Sequence, residues 1–191
     1  MCGRRNESTA CIAFATDKGR KVEIDRALLL HASPTIARVV NNKEKLKGYT
    51  TKVYKFEYLE RFSERLGKDL LFDWIDMGLG NAAGVISIAS ELKAVKIRED
   101  GIAAVKYYAS TNPVLPEDMR ELFAAAPTIK ALQVPVIAAV HWRNANTSKA
   151  SLGSICRGDQ LLMETINAQW KKLDNLPLEQ HPWAGKPWVL A

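Results

Sequence analysis

The stretch from Ala10 to Val40 constrains the fold more than any other part of the chain. Ala10, Cys11, Ile12, Ala13, Phe14 and Ala15 are all small or apolar. Asp17-Lys18-Gly19 follows as a turn signal, because aspartate bonds to nearby backbone and glycine accepts a positive φ. Lys21-Val22-Glu23-Ile24-Asp25 then alternates strictly, as a strand does when one face is covered. Two such runs around a short turn predict a β-hairpin. Arg26 to Ala32 carries Leu28, Leu29 and Leu30 and predicts a short helix. Ser33-Pro34 ends it and opens another, since serine caps a helix and proline suits its first turn. The second helix is expected to reach about Asn41 and to bury Ile36, Val39 and Val40. Successive helical residues lie about 100° apart, so three consecutive leucines cannot all face one core. At least one should meet a partner or solvent.

Further along, the charged segment 42–51 reads as an exposed loop, and Lys52 to Tyr58 is rich enough in β-formers to predict a third strand. An amphipathic helix is expected over 59–77, with Leu66, Leu70, Leu71, Trp74 and Ile75 on one side. Gly78-Leu79-Gly80 stops it. Helices follow at 82–95, capped by Asn81, and at 99–110. Thr111-Asn112-Pro113 marks the main boundary. Beyond it, helices are expected from Leu115 to Ala126, with Leu122 and Phe123 buried, and over 128–144, with Pro135 as a kink or break. A polar loop is expected at 144–153. A last helix over 159–173 places Leu161, Leu162, Ile166 and Trp170 at helical spacing. The division expected is a tail at 1–9, a domain at 10–111, a helical extension at 112–173 and an irregular tail at 174–191, where Trp183 and Trp188 could dock.

Composition narrows the function classes. The 191 residues are 47% hydrophobic and 25% charged, ordinary for a globular chain. No apolar run reaches the ~18 residues of a membrane span. The stretch Ala10–Ala15 is too short for a signal peptide, and Cys2 stands where myristoylation needs glycine. The expectation is a protein of the cytoplasm, the nucleus or both. The net charge of +6 permits a nucleic-acid partner without requiring one, and the densest basic run is Lys43, Lys45, Lys47 and Lys52. Cys2, Cys11 and Cys156 are widely spaced and odd in number, and His31, His141 and His181 are scattered. No zinc ligand set is expected, and reduced thiols are the plain reading.

The order strand, turn, strand, Arg26-Ala27-Leu28-Leu29-Leu30-His31-Ala32-Ser33-Pro34-Thr35-Ile36-Ala37-Arg38-Val39-Val40 resembles the start of the BTB/POZ domain. Leu70-Leu71-Phe72-Asp73-Trp74-Ile75-Asp76-Met77-Gly78 is similar to that family's third helix and its closing turn. Leu92-Lys93-Ala94-Val95-Lys96-Ile97 resembles the link in its closing helical pair. The segment from Leu115 through Trp142 resembles the extension of stand-alone fungal BTB proteins. The chain departs from the family pattern at Asp25-Arg26, at Ile36 and at Asp76-Met77-Gly78. The resemblance implies an α+β fold, a small three-stranded sheet flanked by helices with an α-helical C-terminal extension. It also implies a non-enzymatic dimerisation, adaptor or scaffold module, pairing with itself or with another BTB domain. Ile12, Phe14, Leu28, Leu29 and Leu30 are the expected interface residues. Recruitment of a cullin-type ligase is weakly implied, because Val40-Asn41-Asn42-Lys43-Glu44 misses the apolar-x-Glu motif.

Catalytic readings fare worse. Met1-Cys2-Gly3-Arg4 resembles the opening of SRAP-type proteins, whose cysteine attacks abasic-site aldehydes, but their downstream partners are missing. Asp73 and Asp76 share a helix face, the usual arrangement of solvated carboxylates. Gly78-Leu79-Gly80-Asn81-Ala82-Ala83-Gly84 lacks both the strand and the spacing of a dinucleotide loop. His31 and His141 lie on apolar helices without evident partners. No catalytic residue, cofactor or metal is expected. The alternatives are a basic nucleic-acid-binding protein and a small enzyme of unrecognised fold.

Overall fold

A computed structural model describes residues 11–68, 74, 76–147 and 151–184. It divides into two compact units. The first comprises residues up to 71 with 84–101, and the second 72–83 with 102–191. The division falls within two helices rather than at Thr111, so 102–111 belong with the C-terminal elements.

The first unit is built on a hairpin of β1 (Cys11–Ala15) and β2 (Lys21–Asp25). The strands are antiparallel, with Ile12 opposite Ile24 and Phe14 opposite Val22. These four side chains are buried, while Lys21 and Glu23 are exposed, so the alternation of the sequence becomes one covered face and one wet face. Gly19 closes the turn at φ +67°, a conformation a side chain would resist. Helix α1 (Arg26–Ala32) starts at once, capped by Asp25, whose carboxylate accepts the Leu28 N–H at 3.0 Å. Helix α2 (Pro34–Val39) ends two residues short of the expected bound. It buries Ile36, while Val39 and Val40 are half-buried.

Ser33 joins these helices and is fully buried. Its hydroxyl oxygen accepts the Ile36 N–H at 3.1 Å and its O–H donates to the Leu92 carbonyl. Ser33→Ala removes the cap of α2 and strips that carbonyl of its side-chain donor. We expect a loss of about 2–3 kcal/mol, read from the midpoint of chemical denaturation; an unchanged midpoint would contradict this role.

Two expectations are corrected here. Segment 42–51 is not a loop: Lys43–Thr50 is helix α3, capped by Asn42, which accepts the Lys45 N–H at 3.1 Å. It buries no side chain, so charge reflects a solvated helix rather than irregular chain. The third strand over Lys52–Tyr58 is reduced to a single parallel bridge between Tyr54 and Thr16. The Tyr54 N–H donates to Ala15 O at 3.1 Å and the Asp17 N–H to Tyr54 O at 2.9 Å. Two residues later the Asp17 carboxylate accepts the Phe56 N–H at 2.9 Å, and α4 (Phe56–Arg65) begins. A cap from 39 residues away thus turns the β-rich segment into a helix. Among the described residues the sheet has two strands. The long helix expected over 59–77 stops at Arg65; Leu70, Leu71 and Ile75 lie outside the described residues.

Helix α5 (Leu79–Glu91) and helix α6 (Val95–Thr111) begin earlier than expected. Asn81 lies inside α5 rather than capping it, its amide donating to Met77 O at 2.9 Å. The core of the first unit includes Phe14, Ile24, Leu29, Ile36, Leu59, Phe62, Ile86 and Leu92, all fully buried. Each contributes about 1.5–3 kcal/mol over its exposed state. Tyr54 meets Phe14 edge-to-face, centroids 6.0 Å apart, and its hydroxyl donates to Glu91 at 3.2 Å. Burial, then that carboxylate, hold the phenol above its ordinary pKa.

The second unit is helical. Helix α7 (Pro116–Ala125) buries Met119, Leu122 and Phe123. Asp118 accepts the Leu115 N–H at 2.9 Å and secures its start. Helix α8 (Lys130–Thr147) runs through Pro135 without ending. The side chain of buried Gln133 donates to the carbonyls of Ala126 and Pro127, both at 2.9 Å, satisfying the end of α7. A short helix α9 (Leu152–Ile155) begins within the segment expected to be loop. Helix α10 (Gln160–Asp174), capped by Asp159, buries Leu162, Ile166, Trp170 and Leu173. Leu161 points away and is 75% exposed. A 3-10 turn, Leu178–Gln180, leads to buried His181 and Trp183. Trp188 lies outside the described residues. Among the described residues, no helix is long and apolar enough to cross a membrane.

Candidate functional site

The five residues assigned to a partner face separate in the structure. Ile12, Phe14 and Leu29 lie in the first unit's own core. The hairpin's apolar face is covered within the unit and is not a surface. Leu28 is 40% exposed, next to exposed Ala27 and His31 and half-buried Leu30. The exposed face of α1 is therefore centred on Leu28, with Leu30 beside it. Asp25 fixes this pattern, because capping at Leu28 sets the phase of the helix and turns Leu29 inward.

The basic run does not form an uninterrupted patch. Lys52 is paired with Glu91 at 2.7 Å, and Lys18 with Glu57. Glu57 is held below the usual carboxylate range first by the Lys18 hydrogen bond. Lys43, Lys45 and Lys47 are exposed along α3, where Glu44 interrupts them.

The catalytic candidates also come apart. Cys156 is fully buried, and burial raises its pKa, with the Asp159 charge adding to the effect. It is a poor thiolate and hence a poor nucleophile. Cys11 is disulfide-bonded, which corrects the reading that all thiols are reduced. Asp76 is exposed, and Cys2 and Asp73 lie outside the described residues. No group of three His, Cys, Asp or Glu residues among the described ones could hold a metal ion.

His141 is the exception. Its Nε2 lies 2.9 Å from Asp174 Oδ1 and its Nδ1 lies 3.2 Å from His181 Nε2. The two rings stack with 13° between their planes, and Trp170 meets His141 edge-to-face at 4.8 Å. Trp142 and His181 are also 4.8 Å apart. Nothing in the sequence announced this cluster, because its members are 33 and 40 residues apart. The nearest signal was the apolar spacing of α10, which places Asp174 one turn beyond Trp170. Comparison with family models, curated proteins and solved structures gave no match.

Proposed function

We propose that the chain is a non-enzymatic protein–protein interaction module of BTB/POZ type, pairing with a second copy or with a related domain as an adaptor or scaffold. The observation that carries this reading is the run β1, β2, α1, Ser33-Pro34, α2 over residues 11–39. It has the order of the resemblance, and it leaves a leucine exposed on the first helix. In this reading the Thr16–Tyr54 bridge stands where the third strand of the sheet would join, parallel to β1. The cytoplasm or the nucleus is the proposed site of action. Ligase recruitment is not part of the proposal, since 40–44 lacks the motif. Light scattering over a protein concentration series tests the reading. Mass should rise toward twice 21.3 kDa with concentration, and a strict monomer at every concentration would remove the homodimer.

A further inference from the structure

The hydrogen bonds around His141 and His181 have a single consistent direction. The Trp183 backbone N–H points at His181 Nδ1, 3.2 Å away, so that nitrogen must be an acceptor. A neutral His181 then carries its proton on Nε2 and donates it to His141 Nδ1. His141 in turn carries its proton on Nε2 and donates to Asp174. With one proton on each ring, every ring nitrogen is used.

We propose that this chain of bonds is a proton-operated latch that holds segment 178–184 on the second unit at neutral pH and lets it go in mild acid. One added proton gives the two rings three N–H groups. If His181 takes it, Nδ1–H faces the Trp183 N–H, donor against donor. If His141 takes it, His181 must either oppose it with Nε2–H or shift its proton to Nδ1, again against Trp183. Every arrangement breaks the Trp183 bond or sets the rings against each other. A second proton places two imidazolium rings 3.2 Å apart.

The surroundings favour this response. His141 and His181 are buried. Among the described residues, the other ionisable groups lining the groove beside them are Asp174 and Lys171, both from α10, and none comes from α9. Glu179 precedes His181 in its own segment and is exposed. The Asp174 side chain is 55% exposed, so water screens the carboxylate that bonds His141. Burial first, and the charge of His141 second, push the His181 pKa down to about 4. A histidine lowered on folding stabilises the docked state above its unfolded value near 6.5 and loses that stabilisation as pH falls toward 4. A groove of about 640 Å³ beside the pair, lined by Ser151, Asn167 and Lys171 among others, gives protons and water a way in. Release would uncover His141, Trp142 and Trp170.

The test is a pH titration of the full chain from 7.5 to 4 by NMR, following backbone order at 178–184 and the ring nitrogens of both histidines. Segment 178–184 should lose order with a midpoint between pH 6.5 and 4, together with ring protonation, while α8 and α10 stay ordered. His181→Asn keeps an acceptor for the Trp183 N–H and cannot titrate, so the segment should stay docked across the range. His141→Gln is the second variant and should flatten the transition likewise. A wild-type segment that stays ordered to pH 4, or a release midpoint separate from ring protonation, overturns the proposal. So does an acid release of unchanged midpoint in both variants.

Discussion

Leu29→Asp should leave the first unit unfolded or nearly so. The side chain is fully buried in a core with Phe14, Ile24 and Leu92, and a carboxylate there has no cationic partner. Removing the leucine costs about 3 kcal/mol, on the scale of buried large-to-alanine changes. Burying an unpaired charge adds several more. Together they exceed ~4 kcal/mol, a large share of the stability of a small unit. Urea denaturation followed by circular dichroism reads the loss. Leu28→Asp, one residue away and 40% exposed, should cost at most about 0.5 kcal/mol. Equal stability of the two variants would show that the phase of α1 is wrong.

Gly84 is the second position where a small change should have a large effect. A Cβ at this residue would lie 2.3 Å from Cγ and Cδ2 of Tyr58, inside the van der Waals radius of the ring. These atoms belong to the base of the ring, not to a flexible end, so helix and ring must move apart. Gly84→Val should cost about 2–3 kcal/mol by overpacking. The informative comparison is Gly84→Ala. In an otherwise open helix this change stabilises by about 0.5–1 kcal/mol; here it should destabilise. In a Tyr58→Ala background the obstruction is gone, and Gly84→Ala should turn neutral or stabilising. A stabilising Gly84→Ala in the unmodified chain would contradict the close approach.

The parts of the fold legible in the sequence are those fixed by local signals. The hairpin follows from an apolar run and a strictly alternating run on either side of Asp17-Lys18-Gly19, and α1 runs over the expected Arg26–Ala32 because Asp25 and Ser33-Pro34 mark its ends. Segment 52–58 is rich in β-formers, but Asp17 caps α4 through a tertiary bond that local composition does not contain. In α3, Gly48 and a run of lysines have the look of a loop, but the Asn42 cap and the helix propensity of lysine, glutamate and leucine prevail. On the candidate face, the leucine triplet indicated that one residue must be exposed. Which one depends on the phase set by the Asp25 cap, and that Ile12 and Phe14 turn inward depends on what covers the hairpin. The His141–His181–Asp174 cluster joins three residues far apart in the chain, and no periodicity reports such a meeting.

Association through the face of α1 around Leu28 can be read by sedimentation equilibrium on wild type and Leu28→Asp. The wild type should fit a monomer–dimer equilibrium. Leu28→Asp should show an unchanged circular dichroism spectrum and dissociate at least tenfold more readily, the effect of about 1.4 kcal/mol lost from an interface. A wild type that is monomeric at the highest concentration, or a folded Leu28→Asp variant that dimerises as tightly as wild type, would contradict it.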